Sequence, residues 1–273
     1  MSELTFYDEI QQSPINLVSA ALRFSQAIAY LELNVDMYLE LLDGLADLAL
    51  KSVNITDQSR TNAEGLSDFL FGQLGFRGNT ADYEDPRNSY LNDVLDRRLG
   101  IPISLSVIYI HLARKAGLSA EGVGLPGHFI VKIKDFEGDF YVDPFNQGRI
   151  LSLEECAQLV TASTGYRGPI QEEWLEPAAP AVILTRMLNN LRNIYLQRQE
   201  WEHALKVIEH TSLLQPDMVE LVRDRAIIYH QEGKLRQAVQ NYERYLKLAP
   251  DAPDAPAIQT HLRAAGQRLA RLN

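Results

Sequence analysis

Apolar residues recur at helical spacing along most of the chain. After Ser13 and Pro14, which read as an N-cap followed by proline at the first helical position, Leu17, Ala21, Phe24, Ile28 and Leu31 fall on one face. A second helix is expected from a cap at Asp36 through Leu41, Leu45 and Leu48. A third should run from Asn62 through Leu66, Phe69, Leu70 and Leu74 to Gly75. Beyond the turn-rich FRGNTADYEDPRN, Ser89 is placed to cap a helix carrying Leu91, Val94 and Leu95, which Gly100 and Pro102 end. Ser104 is placed to cap the next, with Leu105, Ile108, Tyr109, Leu112 and Ala116 as its buried stripe and Gly117 as its stop. The period then shortens: GHFIVKI and DFYVD alternate apolar and polar residues around Asp135 to Gly138, the pattern of an antiparallel hairpin. Ser152 and Glu155 of SLEE form a capping box that opens a further helix. Residues 171–181, with Pro177 and Pro180 and little periodicity, read as a linker between residues 1–170 and 182–273.

The last part repeats itself. Tyr195 and Tyr229, Ala204 and Ala238, and Pro216 and Pro250 are each separated by 34 residues, the tetratricopeptide period. Alanine at that place lets two helices of a hairpin approach closely, tyrosine fills the gap, and proline ends the second helix. Two repeats are legible, followed by a capping helix from about Ala255. In such arrays the first helix of each hairpin lines a groove, and by spacing Arg186, Asn189, Asn193 and Arg223 face it, a set suited to a peptide or a carboxylate-ended segment.

Charge and cysteine usage narrow the function classes. A net charge of -10 over 273 residues argues against a nucleic-acid partner, which needs clustered Lys and Arg to displace counterions. MSELTFYDEIQQ places acids where a secretion signal has Lys or Arg, and charges interrupt every apolar stretch before it reaches membrane-spanning length. With a single cysteine, Cys156, a reducing cytoplasmic setting is expected, with a protein or peptide as partner and neither nucleic acid nor membrane. The six histidines show no H-x-x-x-H or mixed Cys/His spacing, and P-loop and dinucleotide fingerprints are absent from the sequence; GVGLPG reads as strand and turn punctuation. Neither a metal nor a cofactor is expected.

Chemistry, if there is any, falls on the hairpin. His128 begins one strand and Asp143 ends the other, and a four-residue loop sets Asp143 opposite Ile130, so His128 and Asp143 share a face as near neighbours. A carboxylate that orients an imidazole prepares a nucleophile in acyl transfer. The structural reading of the same residues is a core histidine and an Asx turn before Pro144.

The run NSYLNDVLDRRLGIPISLSVIYIHLARKAGLSAEGVGLPGHFIVKI, with YVDPFNQGRILS after it and GFRGN before it, resembles the centre of the SirB-type family. That family joins a transglutaminase-like domain to tetratricopeptide repeats, and its central domain is similar to one in some F-box proteins. The resemblance implies an α+β fold: a helical N-terminal region, a papain/transglutaminase-like core with a small antiparallel sheet, and an all-α repeat tail. It also implies a nucleophilic cysteine at a helix start, followed by His and Asp, and His128 and Asp143 fall on the last two positions. The helix start, GIPISL, holds no cysteine. Counting back from Gly117 puts the nucleophile position at Pro102 without a gap and at Ser104 with a short one. Cys156 lies after both His128 and Asp143, among Leu153 and Leu159, and reads as a buried apolar residue. Two functions are therefore expected: a non-catalytic adaptor scaffold, or a serine-type hydrolase or acyltransferase using Ser104, His128 and Asp143, with Arg97 or Arg98 as a carboxylate anchor.

Overall fold

In the computed structural model, which describes residues 4–53 and 55–272, the chain opens with α1 (Phe6–Ile10), α2 (Leu17–Ile28), α3 (Val35–Ser52) and α4 (Ser59–Ser67). Asn16 caps α2, its side chain accepting from Ser19 N at 3.2 Å, and Asn34 caps α3 by accepting from Met37 N at 3.0 Å. Both caps differ from the expected Ser13 and Asp36, because an asparagine nearer the apolar run supplies the same oxygen. On α3 the buried face is Tyr38, Leu42, Ala46 and Ala49, whereas the expected Leu41 and Leu48 are 41% and 50% exposed. Leucines occupy more than one face of this helix. Packing against α2 and α6 selects the face on which Ala46 and Ala49 permit close approach. Leu31 lies beyond the end of α2 and is exposed. After α4 a π-helical turn, Asp68–Gln73, carries buried Phe69 and Leu70.

Two short parallel strands, β1 (Arg77–Gly78) and β2 (Leu99–Gly100), bracket α5 (Leu91–Arg97). The central element is α6 (Pro102–Lys115), buried at every position from Pro102 to Ile110. Proline at N1 starts α6 three residues earlier than a Ser104 cap would allow. Ser104 therefore sits at N3, where its hydroxyl reaches back to accept from Ile101 N at 3.1 Å. On α6 lies a four-stranded antiparallel sheet in sequence order: β3 (Ser119–Val123), β4 (Ile130–Lys134), β5 (Phe140–Asp143) and β6 (Arg149–Leu151). The β4–β5 pair is the expected hairpin, and the Ser152–Glu155 capping box opens α7 (Leu153–Thr164).

Residues 171–181 are engaged with this sheet: Ala178 N donates to Gly122 O at 2.8 Å, and Pro177 bridges to Val123. The chain divides into two compact units, the first ending at Asn190 and the second beginning at Leu191, inside α8 (Pro180–Gln197). The second unit continues with α9 (Trp201–Leu214), α10 (Val219–Gln231), α11 (Leu235–Leu248) and α12 (Ala255–Ala270). Tyr195, Ala204 and Ala238 are buried there, and Tyr229 is half-buried against the cluster of Ala226, Tyr242 and Ile258. No helix among the described residues is long and apolar enough to cross a membrane.

Candidate functional site

The β4–β5 register pairs Val131 with Val142, which brings the residues flanking that pair together at one end of the hairpin. There the His128 Nε2 and Asp143 Oδ1 atoms lie 3.0 Å apart, both residues buried. The ionised carboxylate can only accept, so Nε2 carries the proton and Nδ1 is the other edge of the ring. Among the described residues Nδ1 has no hydrogen-bond partner. Asp143 also accepts from Phe145 N at 3.1 Å, Asn146 N at 3.3 Å and Asn146 Nδ2 at 2.7 Å. One side chain thus forms both the Asx turn ahead of Pro144 and the support of an imidazole. Burial by itself would raise the Asp143 carboxyl. The hydrogen bond and charge of His128, helped by Asn146, outweigh burial and hold it below the usual carboxylate range.

His128 opens onto a cleft of about 130 Å³ lined also by Tyr83, Ile101, Pro102, Ile103, Phe129, Arg186 and Asn190. Pro102, the nucleophile position by ungapped count, is therefore on the wall beside His128, and it offers no nucleophile. Ser104 is elsewhere: fully buried, its hydroxyl donates to Asn88 O at 2.6 Å and accepts from Ile101 N. No hydrogen bond joins it to His128 among the described residues. The carbonyl it holds belongs to a buried hub, since Asn88 accepts from Asn79 Nδ2 at 3.0 Å and donates to Asp82 O at 2.7 Å and Tyr83 O at 3.3 Å. The GFRGN and DPRNSYLN segments thereby fix the N-terminal turn of α6 and the loop that carries Tyr83 to the cleft. Cys156 is fully buried in α7 against Val123, Ile130 and Tyr141, and burial, with Asp143 nearby, pushes its thiol up to about 11.

The four residues expected in a repeat groove are divided between the two units. Arg186 and Asn189 belong to the first unit, Asn193 and Arg223 to the second. Asn193 is exposed, and Arg223 is bound to Asp224 and Asp254, each at 2.9 Å. Arg186 lines the cleft: its Nη2 donates to Leu125 O at 3.1 Å and His128 O at 3.0 Å, and its guanidinium lies 5.3 Å from the Phe129 ring centroid. Gly124 makes room for it, since a Cβ there would collide with Nη1. The glycines of GVGLPG thus serve close approach, and Arg186, Asn190 and Tyr83 are cleft residues that sequence spacing does not place. Of the expected anchors, Arg97 is paired with Asp85 at 3.2 Å and Arg98 donates to Leu74 O at 2.6 Å.

Residues 36–189 match the family model described as the transglutaminase-like superfamily, and residues 191–263 match one described as tetratricopeptide repeat. The chain belongs to the transglutaminase-like superfamily and carries tetratricopeptide repeats behind that domain. A relative in Xylella fastidiosa, called "UPF0162 protein", is 34% identical over 256 residues, 93% of this chain and 91% of its own length. Human F-box only protein 21 is 28% identical over 183 residues, 62% of this chain and 28% of the human protein, which fits the likeness to F-box proteins read from the sequence. A solved structure of menin is 10% identical and overlaps 94% of this chain and 72% of that chain at a TM-score of 0.43.

Proposed function

We propose that the protein is a non-catalytic scaffold: a transglutaminase-like core used for binding, joined to repeats that hold a protein or peptide partner, and acting in the cytoplasm. The observation that carries this reading is the state of the nucleophile positions. Pro102 beside His128 has no reactive group, and the buried Ser104 hydroxyl is committed to Asn88 and Ile101. A serine nucleophile needs its oxygen within hydrogen-bond reach of the base. Cys156, buried with a raised pKa, is no thiolate. Tetratricopeptide repeats generally mediate protein association, which supports the second half of the reading.

The serine-type alternative, with Ser104, His128 and Asp143 as its triad, draws its support from the 3.0 Å His128–Asp143 pair. The discriminating experiment is hydrolysis of p-nitrophenyl esters and of a panel of unblocked and blocked peptides by the purified full chain. The scaffold reading expects a rate equal to that of the Ser104→Ala and His128→Ala variants. Turnover by the wild type that both substitutions abolish would establish the enzyme.

A further inference from the structure

Arg186 is half-buried, and among the described residues no carboxylate comes within ion-pair distance of it. Its two described acceptors are the backbone carbonyls of Leu125 and His128. Burial draws its pKa down, and the offset comes from Tyr83 and from no acid. A guanidinium withdrawn from water without a counter-charge is costly to fold around, and folds ordinarily neutralise such a group or pair it. Here the sequence instead clears space for it at Gly124 and lays it on the Phe129 ring.

The cleft beside it holds about 130 Å³. At roughly 30 Å³ per water that is room for about four waters, or for the planar end group of a chain with one or two carbons behind it. Asn190, Tyr83 and His128 add polar groups, while Ile101, Pro102 and Ile103 form an apolar wall. One cation matches a monoanion better than a doubly charged phosphate, and a guanidinium fork matches a carboxylate.

We propose that the core cleft between Pro102, His128, Arg186 and Asn190 is a binding site for a terminal carboxylate, the C-terminus of a partner peptide chain, with Arg186 as its anchor. This rests on the reading that the cleft binds and does not react. It moves the carboxylate-binding role expected of the repeat groove into the core.

The test uses the full-length protein and four probes: acetyl-Gly-Gly-Ala with a free C-terminus, its C-terminal amide, acetyl-Gly-Glu-Gly-amide, and propionate. Binding is followed by calorimetry and by the His128 ring resonances, assigned by comparison with His128→Gln. The free-acid peptide is expected to bind at least tenfold more tightly than its amide and to shift the His128 resonances. Arg186→Gln should lose at least tenfold and Arg186→Lys should recover part of that loss. Free acid preferred over propionate and internal Glu identifies a chain terminus as the ligand. Equal binding of propionate would support the carboxylate site and overturn the chain-terminus assignment. Equal affinity for acid and amide, or no change at His128, overturns the site. Because the acid–amide comparison is made on the wild type, it decides the question even where a variant folds poorly. Tight binding of the acid together with turnover of its ester would overturn the scaffold reading and leave the site standing. Absence of both binding and turnover would do the reverse.

Discussion

Arg186 of the core unit is held differently from Arg192 and Arg223 of the repeat unit, and also from Arg23 of its own unit, which is buried and paired with Glu9 at 3.3 Å. In the repeat unit Arg192 and Asp224 are both buried and 3.4 Å apart, and Arg223 is clasped by Asp224 and Asp254. Burial works against the Arg223 charge, yet those two acids carry its pKa above the ordinary guanidinium value. In the core unit Arg186 is set between two backbone carbonyls and an aromatic ring with no acid beside it. Arg192 and Arg223 are thus tied to acids of their own unit. The core unit leaves one charge uncompensated at the edge of a cleft, and a charge that the fold does not neutralise is available to a ligand.

The largest effect expected from this contrast is in the repeat unit. Asp224→Ala leaves Arg192 and Arg223 without their shared acid and should destabilise that unit by about 3–5 kcal/mol, read from urea denaturation by circular dichroism. A loss below about 1 kcal/mol would break the comparison. Next comes the polar hub of the core, where Asn88→Ala removes a fully buried side chain that satisfies Asn79, Asp82 and Tyr83. A loss of about 2–3 kcal/mol is expected, and an unchanged denaturation midpoint would show that the hub is replaceable by water.

Asp143 sits between the two cases, supporting both a turn and His128, and its effect depends on pH. Its folded-state pKa is lowered, so the ionised form stabilises the fold. That contribution is complete above the ordinary carboxylate range and is lost as pH falls through the lowered value. Wild type should therefore exceed Asp143→Asn in stability at neutral pH, with the gap closing in acid. A gap that stays constant down to acid pH would mean the carboxylate charge is immaterial. The smallest effect is expected at Arg186 itself: Arg186→Gln should change stability by less than about 1 kcal/mol, or raise it, because the variant removes an unpaired charge. A loss comparable to that of Asp224→Ala would place Arg186 among the structural arginines.

Legibility in the sequence followed the range of the interactions. Period-two alternation placed the hairpin, and with it His128 beside Asp143, since a strand's register sets which side chains are neighbours. The repeats announced themselves by a fixed spacing, because each helical hairpin repeats the packing of the one before. Caps were harder: Ser13, Asp36 and Ser104 are plausible caps in isolation, and Asn16, Asn34 and Ile101 occupy the N-cap positions. On α3 the spacing of Leu41, Leu45 and Leu48 satisfies a helical stripe as well as the buried Tyr38, Leu42, Ala46 and Ala49 do. Periodicity cannot choose between two apolar faces that neighbours must decide.

By itself the sequence determined the repeats, through their fixed 34-residue period, and the absence of a cysteine where α6 begins, through residue identity; the transglutaminase-like core was legible through resemblance to a known family. Tertiary structure alone decided what the remaining groups do. Ser104 became a support when Asn88, 16 residues earlier, offered its carbonyl. Arg186 became a cleft residue when Leu125, 61 residues earlier, was folded against it. A side chain's chemistry is set by its surroundings, and the surroundings of both residues are assembled from segments far apart in the chain.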